Sequence, residues 1–213
     1  EGCNKEGRAP EFIDPGLSAD GEASSPINLN DKPAFRMESQ SKNNGLEVAV
    51  IGANTSTKNK DIANGLLATK HFSGVTLIDA RVVTPSLPEL KKFDSVMVYN
   101  NYRYRDTTKL GNNLADYAEQ GGGVVTMTFE SSTRLGSTRP LQGLWLSKKY
   151  GAFNSSSTDT RNWNYAGDIL QKNHPIMKDF KSFKGYYRLN KRTAANGASL
   201  IAKWKDGIPL VAC

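Results

Sequence analysis

The chain has 213 residues, of which 28 are Lys or Arg and 21 are Asp or Glu, so its formal net charge is +7. The length suggests one domain of ordinary size with additional segments, and the hydrophobic content of 38% is low but sufficient for a single core. No apolar run approaches the roughly 20 residues that span a bilayer, so we expect no membrane insertion. The first residues lack the pattern of a signal peptide, but a mature secreted chain would lack it as well.

The charge is divided unevenly between two parts of the chain. Up to Leu46 there are eight acidic and five basic side chains, whereas from Glu47 onward there are 23 basic and 13 acidic side chains. The first part is polar and contains few aliphatic residues, so it cannot form a core by itself. We predict an extended N-terminal arm over residues 1–46 and a folded domain over residues 47–213. The contrast either reflects solvated surfaces or lets the acidic arm dock on a basic face.

From Glu47 to Phe129, short apolar runs alternate with helical patterns. The alternation with short links favours a mostly parallel sheet that is covered by helices on both faces. The Gly121–Gly123 cluster predicts the end of the last helix in this part, since glycine adopts the left-handed cap conformation. The predicted strands are 48–51, 75–78, 95–99 and 124–129, and the predicted helices are 57–72, 84–93 and 107–120.

Beyond Phe129 the patterns are less regular. Helices are predicted at 141–150 and 165–171, on either side of a polar loop at 154–164. Two strands at 199–204 and 208–212 flank Asp206-Gly207, a pair that is typical of hairpin turns. We therefore predict an α/β fold, a three-layer sandwich with a mostly parallel, flavodoxin-like sheet, a C-terminal hairpin and an extended N-terminal arm.

Several stretches resemble class I glutamine amidotransferase-like domains, and most closely their trehalose-utilisation-type and secreted bacterial branches. Residues 93–99 (FDSVMVY) and 114–125 (LADYAEQGGGVV) resemble the strand, helix and glycine cluster that precede the family's nucleophile turn. Residues 174–177 (HPIM) and 204–211 (WKDGIPLV) resemble later segments. The resemblance covers residues 47–213 and implies the flavodoxin-like fold, but this fold hosts many unrelated functions.

The resemblance also implies a position for a catalytic cysteine, at the turn after the strand that ends at Phe129. This turn reads Glu130-Ser131-Ser132, so we predict a degenerate nucleophile turn. Ser131 would require a base, and the family's catalytic His-x-Glu pair is not found near the C-terminus. We therefore predict a pseudoenzyme, with no catalytic residue, no cofactor and no metal. Glu130 either lies at the ligand-binding edge of the sheet or carries a charge at a helix N-terminus.

Neither histidine is placed as that base. His71 follows an amphipathic helix and is interpreted as a surface or capping residue. His174 precedes a proline and is interpreted as a structural turn residue.

The two cysteines and two glycosylation sequons bear on localisation. Cys3 and Cys213 form a candidate disulfide, within one chain or between chains, or are two free thiols. Asn54 and Asn154 each begin an N-x-[ST] sequon in a polar stretch, so both are candidate glycosylation sites. Together they favour an extracellular or cell-surface protein.

Aromatic and cationic residues alternate in three stretches, which makes them candidate binding residues. Such pairs suit protein partners, glycans or nucleic acid, or the aromatics simply pack under loops. We expect a protein partner first, a glycan second and no nucleic acid. The candidates are Tyr102, Arg103, Tyr104, Arg105, Trp163, Tyr186 and Tyr187.

Two functions remain open from the sequence. The first is a non-catalytic secreted module for interaction or assembly, such as the subunit of an extracellular filament or matrix whose arm docks on a neighbouring subunit. The alternative is a carbohydrate-binding or carbohydrate-processing domain that uses the loops at the carboxyl ends of the strands.

Overall fold

The computed structural model describes residues 33–38, 45–127, 129–134, 136 and 139–213, and in this part of the chain the strands form two sheets. The strands of the first sheet are β1 (Ala34–Glu38), β2 (Leu46–Ala53), β3 (Phe72–Asp79), β4 (Ser95–Asn100) and β5 (Gly123–Thr126). Those of the second are β6 (Asp159–Ile169), β7 (Lys184–Leu189), β8 (Leu200–Trp204) and β9 (Pro209–Ala212). The helices are α1 (Ser56–Ala68), α2 (Leu87–Leu90), α3 (Thr107–Glu119) and α4 (Leu144–Ser147), with a 3₁₀ turn at Pro175–Met177.

The first sheet is mostly parallel, with the strand order β1-β3-β2-β4-β5. Strand β2 pairs in parallel with both β3 and β4, and β4 pairs in parallel with β5, whereas β1 is antiparallel to β3. The central strand β2 is buried from Val48 to Ala53, as its continuous apolar run predicts. The prediction of an α/β fold with a mostly parallel sheet is therefore confirmed.

Alternate residues of β2 enter two separate apolar clusters, because successive side chains of a strand point to opposite faces. Val48 and Val50 pack with α1, and Ala49 and Ile51 pack with α2, α3 and α4. Each face of the central strand is therefore covered by helix. Among the described residues, none of the helices combines the length and the apolar character needed to cross a bilayer.

Helix α3 shows how local sequence sets the ends of an element. The carboxylate of Asp106 accepts a hydrogen bond from the Lys109 N–H at 2.8 Å, which satisfies one of the free N–H groups of the first turn. At the other end Gly121 has φ of +90°, the left-handed conformation predicted from the glycine cluster. This helix is confirmed almost to the residue.

The second sheet is antiparallel and has the order β7-β6-β8-β9. The C-terminal hairpin is confirmed: β8 and β9 pair antiparallel, and Gly207 has φ of +84° in the turn that joins them. The helix predicted at 165–171 is wrong, and so is the second half of the loop predicted at 154–164. Residues 159–169 instead form the long strand β6, which pairs with β7 on one side and β8 on the other. Strand β7 was not predicted.

The segment predicted as an extended arm contributes a strand to the sheet. Ala34–Glu38 lies along β3, and Arg36 forms an ion pair with Glu47 at 2.6 Å. Phe35 and Met37 pack against the cluster around Val50. The alternation of apolar and polar residues in this short stretch is that of a half-buried edge strand. Residues 1–32 and 39–44 lie outside the described residues.

Candidate functional site at the carboxyl ends of the parallel strands

The chain reverses its direction of travel across the sheet at β2. From β2 it crosses to β3 on one side, and from β3 it returns to β4 on the other side. Open α/β sheets bind ligands in the crevice outside the carboxyl ends of the two strands at such a point. Here β2 ends at Ala53 and β4 ends at Asn100, so the residues that follow them form the expected site.

A crevice of about 310 Å³ lies at this point. Its floor carries the side-chain amides of Asn54, Asn100 and Asn101, which directly follow or end the two strands. Asn100 is fully buried, and its Nδ2 donates to the Arg139 carbonyl at 3.4 Å. Its Oδ1 has no hydrogen-bond partner among the described residues. A buried amide oxygen of this kind favours a ligand or water that donates a hydrogen bond.

Tyr99 closes one side of the floor. Its hydroxyl donates a short hydrogen bond to the Asn59 side chain of α1. Burial of the ring raises the pKa of the Tyr99 hydroxyl far above its ordinary value, since the phenolate would be desolvated. This hydroxyl is therefore a fixed neutral group that holds α1 against β4.

The wall of the crevice is a row of aromatic rings from the second sheet and the turn after β5. Ring centroids lie 5.3 Å apart for Trp163 and Tyr186, 5.1 Å for Tyr186 and Tyr187, and 6.2 Å for Tyr187 and Phe129. These are edge-to-face contacts of the favourable kind. Trp163 remains 60% exposed, so a large apolar surface faces solvent at the mouth of the crevice.

Lys184 is the charged residue that lines the crevice. Its Nζ lies 4.3 Å from the centroid of the Trp163 ring and 5.7 Å from that of Tyr165. No carboxylate is among the described residues that line this crevice. The site therefore suits a neutral or anionic ligand.

The predicted nucleophile turn borders the crevice but does not present a nucleophile to it. The residue with strained backbone is Phe129, whose φ is +76°, and its ring lies in the aromatic row. In nucleophile elbows the strained position carries the attacking group. The side chain of Ser131 faces elsewhere, and its hydroxyl accepts a hydrogen bond from Arg192 Nη2 at 3.2 Å. Ser132 is buried.

Glu130 is 4% exposed and lies on the opposite side of the turn from the crevice. Burial raises the pKa of its carboxyl to about 7, while the positive charge of Arg192 acts in the opposite direction. Two adjacent residues, Phe129 and Glu130, thus face two different cavities. No helix follows the turn within the described residues, so the helix N-terminus interpretation of Glu130 is wrong.

The two histidines lie away from this turn. His174 caps the 3₁₀ turn, and its Nδ1 accepts a hydrogen bond from the Ile176 N–H at 3.2 Å, as a structural turn residue does. His71 is exposed just beyond α1. Neither residue lines the crevice or the cavity at Glu130.

The structure separates the candidate binding residues into two groups. Trp163, Tyr186 and Tyr187 lie together in the crevice wall. Tyr102 and Tyr104 are 3% and 4% exposed, so they are core residues and cannot stack on a ligand. Their neighbours Arg103 and Arg105 are exposed but do not line the crevice.

Residues that sequence reasoning missed are the amides of Asn100 and Asn101, the cation of Lys184 and the ring of Phe129. The sequence did carry a sign of the two amides, because polar residues that directly follow buried parallel strands lie at the ligand-binding edge. No sequence pattern indicated that Lys184 or Phe129 would lie at this site. They reach the crevice through the second sheet and the turn.

The two sequons occupy different surroundings. Asn54 lines the crevice, so a glycan attached there would compete with a ligand. The Nδ2 of Asn154, the atom that would carry a glycan, donates to Thr193 Oγ1 at 2.9 Å and to the Ala194 carbonyl at 3.1 Å.

Of the two cysteines of the candidate disulfide, Cys3 lies outside the described residues. Cys213 is an exposed free thiol whose Sγ lies 3.6 Å from His174 Nε2. Within the described ranges, no three His, Cys, Asp or Glu side chains are grouped closely enough to hold a metal ion.

No protein-family model, no curated protein and no solved structure matches this chain. The crevice and its chemistry are therefore the basis for a functional conclusion.

Proposed function

We propose that this chain is a non-catalytic binding domain and that its ligand, a carbohydrate, occupies the crevice at the carboxyl ends of β2 and β4. The observation that carries the proposal is the juxtaposition of an exposed aromatic wall and a floor of side-chain amides. The apolar faces of a sugar ring pack on aromatic rings, while its hydroxyls donate to and accept from amides. A volume of about 310 Å³ is suited to one or two sugar units.

The composition of the crevice argues for a sugar over a nucleic acid. Strands of nucleic acid are bound in grooves with many cations that follow the phosphates. The described lining here has a single cation, Lys184, already placed over the Trp163 ring. A neutral or weakly acidic glycan can form hydrogen bonds with the amides and is compatible with this one positive charge.

The strand order supports the amidotransferase-like resemblance and a flavodoxin-like, three-layer sandwich as part of the proposal. If the antiparallel β1 is set aside, the order β3-β2-β4-β5 places the second parallel strand at the edge, followed by the first, third and fourth. Flavodoxin-like folds have this order. The strained residue Phe129, directly before the predicted nucleophile turn, carries no nucleophilic group, which supports the absence of catalysis.

We propose, second, that the chain is secreted to an extracellular or cell-surface location and takes part in assembly there. Strand β1, which belongs to the predicted arm, lies on the sheet of its own chain, an arrangement that favours a binding module over arm exchange. Assembly through residues 1–32 is tested by their removal, as argued in the Discussion.

A glycan array followed by calorimetry tests the proposal. The Trp163→Ala variant is expected to weaken binding of a positive glycan at least about ten-fold, because the exposed ring supplies the stacking surface. The matched control is Tyr165→Ala, which removes an aromatic of similar exposure from the same strand outside the crevice and leaves affinity within about two-fold. Absence of binding to every glycan, or equal loss in both variants, would contradict the proposal.

A further inference from the structure

A second cavity lies behind the turn that follows β5, on the side of α4. It has a volume of about 230 Å³, and no described residue lines both it and the crevice. Glu130 and Ser131 of the turn form one wall, Trp145 and Lys149 form a second, and Asn154 forms a third. The backbone of the turn is tied to this third wall, since the Ser156 N–H donates to the Ser131 carbonyl at 3.1 Å.

The lining of this cavity combines apolar and polar residues. Its apolar residues include Leu141 and Trp145, which are 1% and 5% exposed, together with Phe153. Its polar and charged residues are Glu130, Ser131, Lys149, Asn154, Ser155 and Asn196. A small molecule with an apolar body and one polar head matches this composition.

Charges around the cavity favour an anionic head. Arg192 stands directly behind the lining, with its guanidinium 3.6 Å from the centroid of the Phe153 ring and its Nη2 on Ser131 Oγ. Its Nε is buried without a hydrogen-bond partner among the described residues. Glu130 is the single acid among the described residues that line the cavity. Two cations, Lys149 in the lining and Arg192 behind it, therefore accompany one carboxyl group.

We propose that this cavity is a second ligand site, which binds a small monocarboxylate with an apolar body and places the ligand carboxylate between Ser131, Lys149 and the carboxyl group of Glu130. A protonated carboxyl group donates a short hydrogen bond to a carboxylate, whereas an ionised one repels it. Binding is thus linked to uptake of one proton by Glu130.

The groups that face Glu130 fix the direction of this linkage. They are the cation Arg192, the buried phenol Tyr104 and the neutral side chains of Trp145 and Thr126, while Lys149 lines the same cavity. Burial lowers the pKa of Arg192 only to about 10, so this residue stays cationic at neutral pH. With the pKa of Glu130 at about 7, the carboxyl changes charge between pH 6 and pH 8, while Arg192 stays cationic.

Benzoate is the probe for this site, titrated into the full chain by calorimetry at pH 6 and pH 8. The dissociation constant is expected to rise about ten-fold between these two conditions, as the fraction of protonated Glu130 falls. Benzamide, which has the same shape without the charge, is expected to bind at least about ten-fold more weakly than benzoate at pH 6. Equal affinity for the two compounds, or no benzoate binding at pH 6, would overturn the proposal.

Two variants assign the effect to this cavity. Glu130→Gln is neutral at every pH, so its benzoate affinity is expected to be the same at pH 6 and pH 8. The crevice variant Trp163→Ala is expected to bind benzoate like the wild type, which also separates this site from the proposed glycan site. Should Glu130→Gln not fold, ¹³C NMR of the wild-type Glu130 carboxyl decides the matter: benzoate must raise its pKa, and an unchanged pKa refutes the linkage.

Discussion

At the scale of single residues, the turn after β5 combines two unusual features. Phe129 adopts a positive φ, and the next residue, Glu130, is a buried carboxyl with a raised pKa. A phenylalanine in the left-handed region costs free energy, and so does a buried acid. Strained backbone and buried charged groups are concentrated at functional sites, and two cavities do meet at this turn.

Glu130 makes the stability of the chain depend on pH in an unusual direction. Its pKa is about 7 in the folded chain and 4.5 ordinarily, so between these values the folded state keeps a proton that the unfolded state releases. The free energy of unfolding therefore falls as pH rises through this window, by about 3 kcal/mol in total from this group.

Denaturant unfolding of the wild type and of Glu130→Gln at pH 4 and pH 8 measures this contribution. Between pH 4 and pH 8, the free energy of unfolding is expected to fall by about 3 kcal/mol more for the wild type than for the variant. A wild type that loses no more than the variant would show that Glu130 is not buried as an acid.

At the scale of elements, two helical glycines differ in what surrounds them. In α1, an added Cβ at Gly65 would meet no atom within 4 Å. In α3, an added Cβ at Gly111 would lie 2.0 Å from the backbone oxygen of Gln142, so the glycine allows close packing of the segment before α4. The same substitution should therefore have opposite effects in the two helices.

Thermal or denaturant unfolding of the two alanine variants tests this difference. Gly65→Ala is expected to raise the free energy of unfolding by about 0.5–1 kcal/mol, because alanine favours the helix and restricts the unfolded chain. Gly111→Ala is expected to lower it by about 2 kcal/mol or more, since a backbone atom must move. Stabilisation by both substitutions would contradict the packing described for α3.

Strand β6 shows where local pattern and tertiary context diverge. The spacing of apolar residues in 165–171 is compatible with a short helix, but residues 165–169 lie in β6. Its Trp163 and Tyr165 have high strand propensity, but propensity in strands depends on pairing. Strands β7 and β8 on either side supply the backbone partners, and both lie at a distance along the chain.

At the scale of the whole molecule, β1 joins part of the predicted arm to the first sheet. Residues 34–38 pair with β3 and place Phe35 and Met37 on an apolar cluster. Removal of residues 1–44 is therefore expected to lower the free energy of unfolding by about 2–4 kcal/mol, since this burial is lost. Removal of residues 1–32 retains the strand and is the matched control, which is expected to keep this contribution to stability.

The shorter deletion also tests the assembly hypothesis. If residues 1–32 dock on a neighbouring subunit, their removal abolishes self-association as followed by light scattering. Polymerisation that is the same with and without these residues would contradict arm exchange, and a monomer in both forms would favour the binding module alone.

The sequence by itself determined the parallel part of the fold and its C-terminal hairpin. Continuous apolar strands, a helical pattern and glycines that adopt positive φ are local features, so they can be predicted from the sequence alone. The sequence of the turn, Glu130-Ser131-Ser132, likewise shows that it contains no cysteine.

Only the tertiary structure decided what occupies the ligand-binding edge of the sheet. It buried Tyr102 and Tyr104 in the core, kept Trp163 exposed, and brought Tyr186 and Lys184 to residues that follow β2 and β4. The physical reason is that the crevice joins segments more than 100 residues apart, whose pairing depends on the second sheet rather than on any local periodicity.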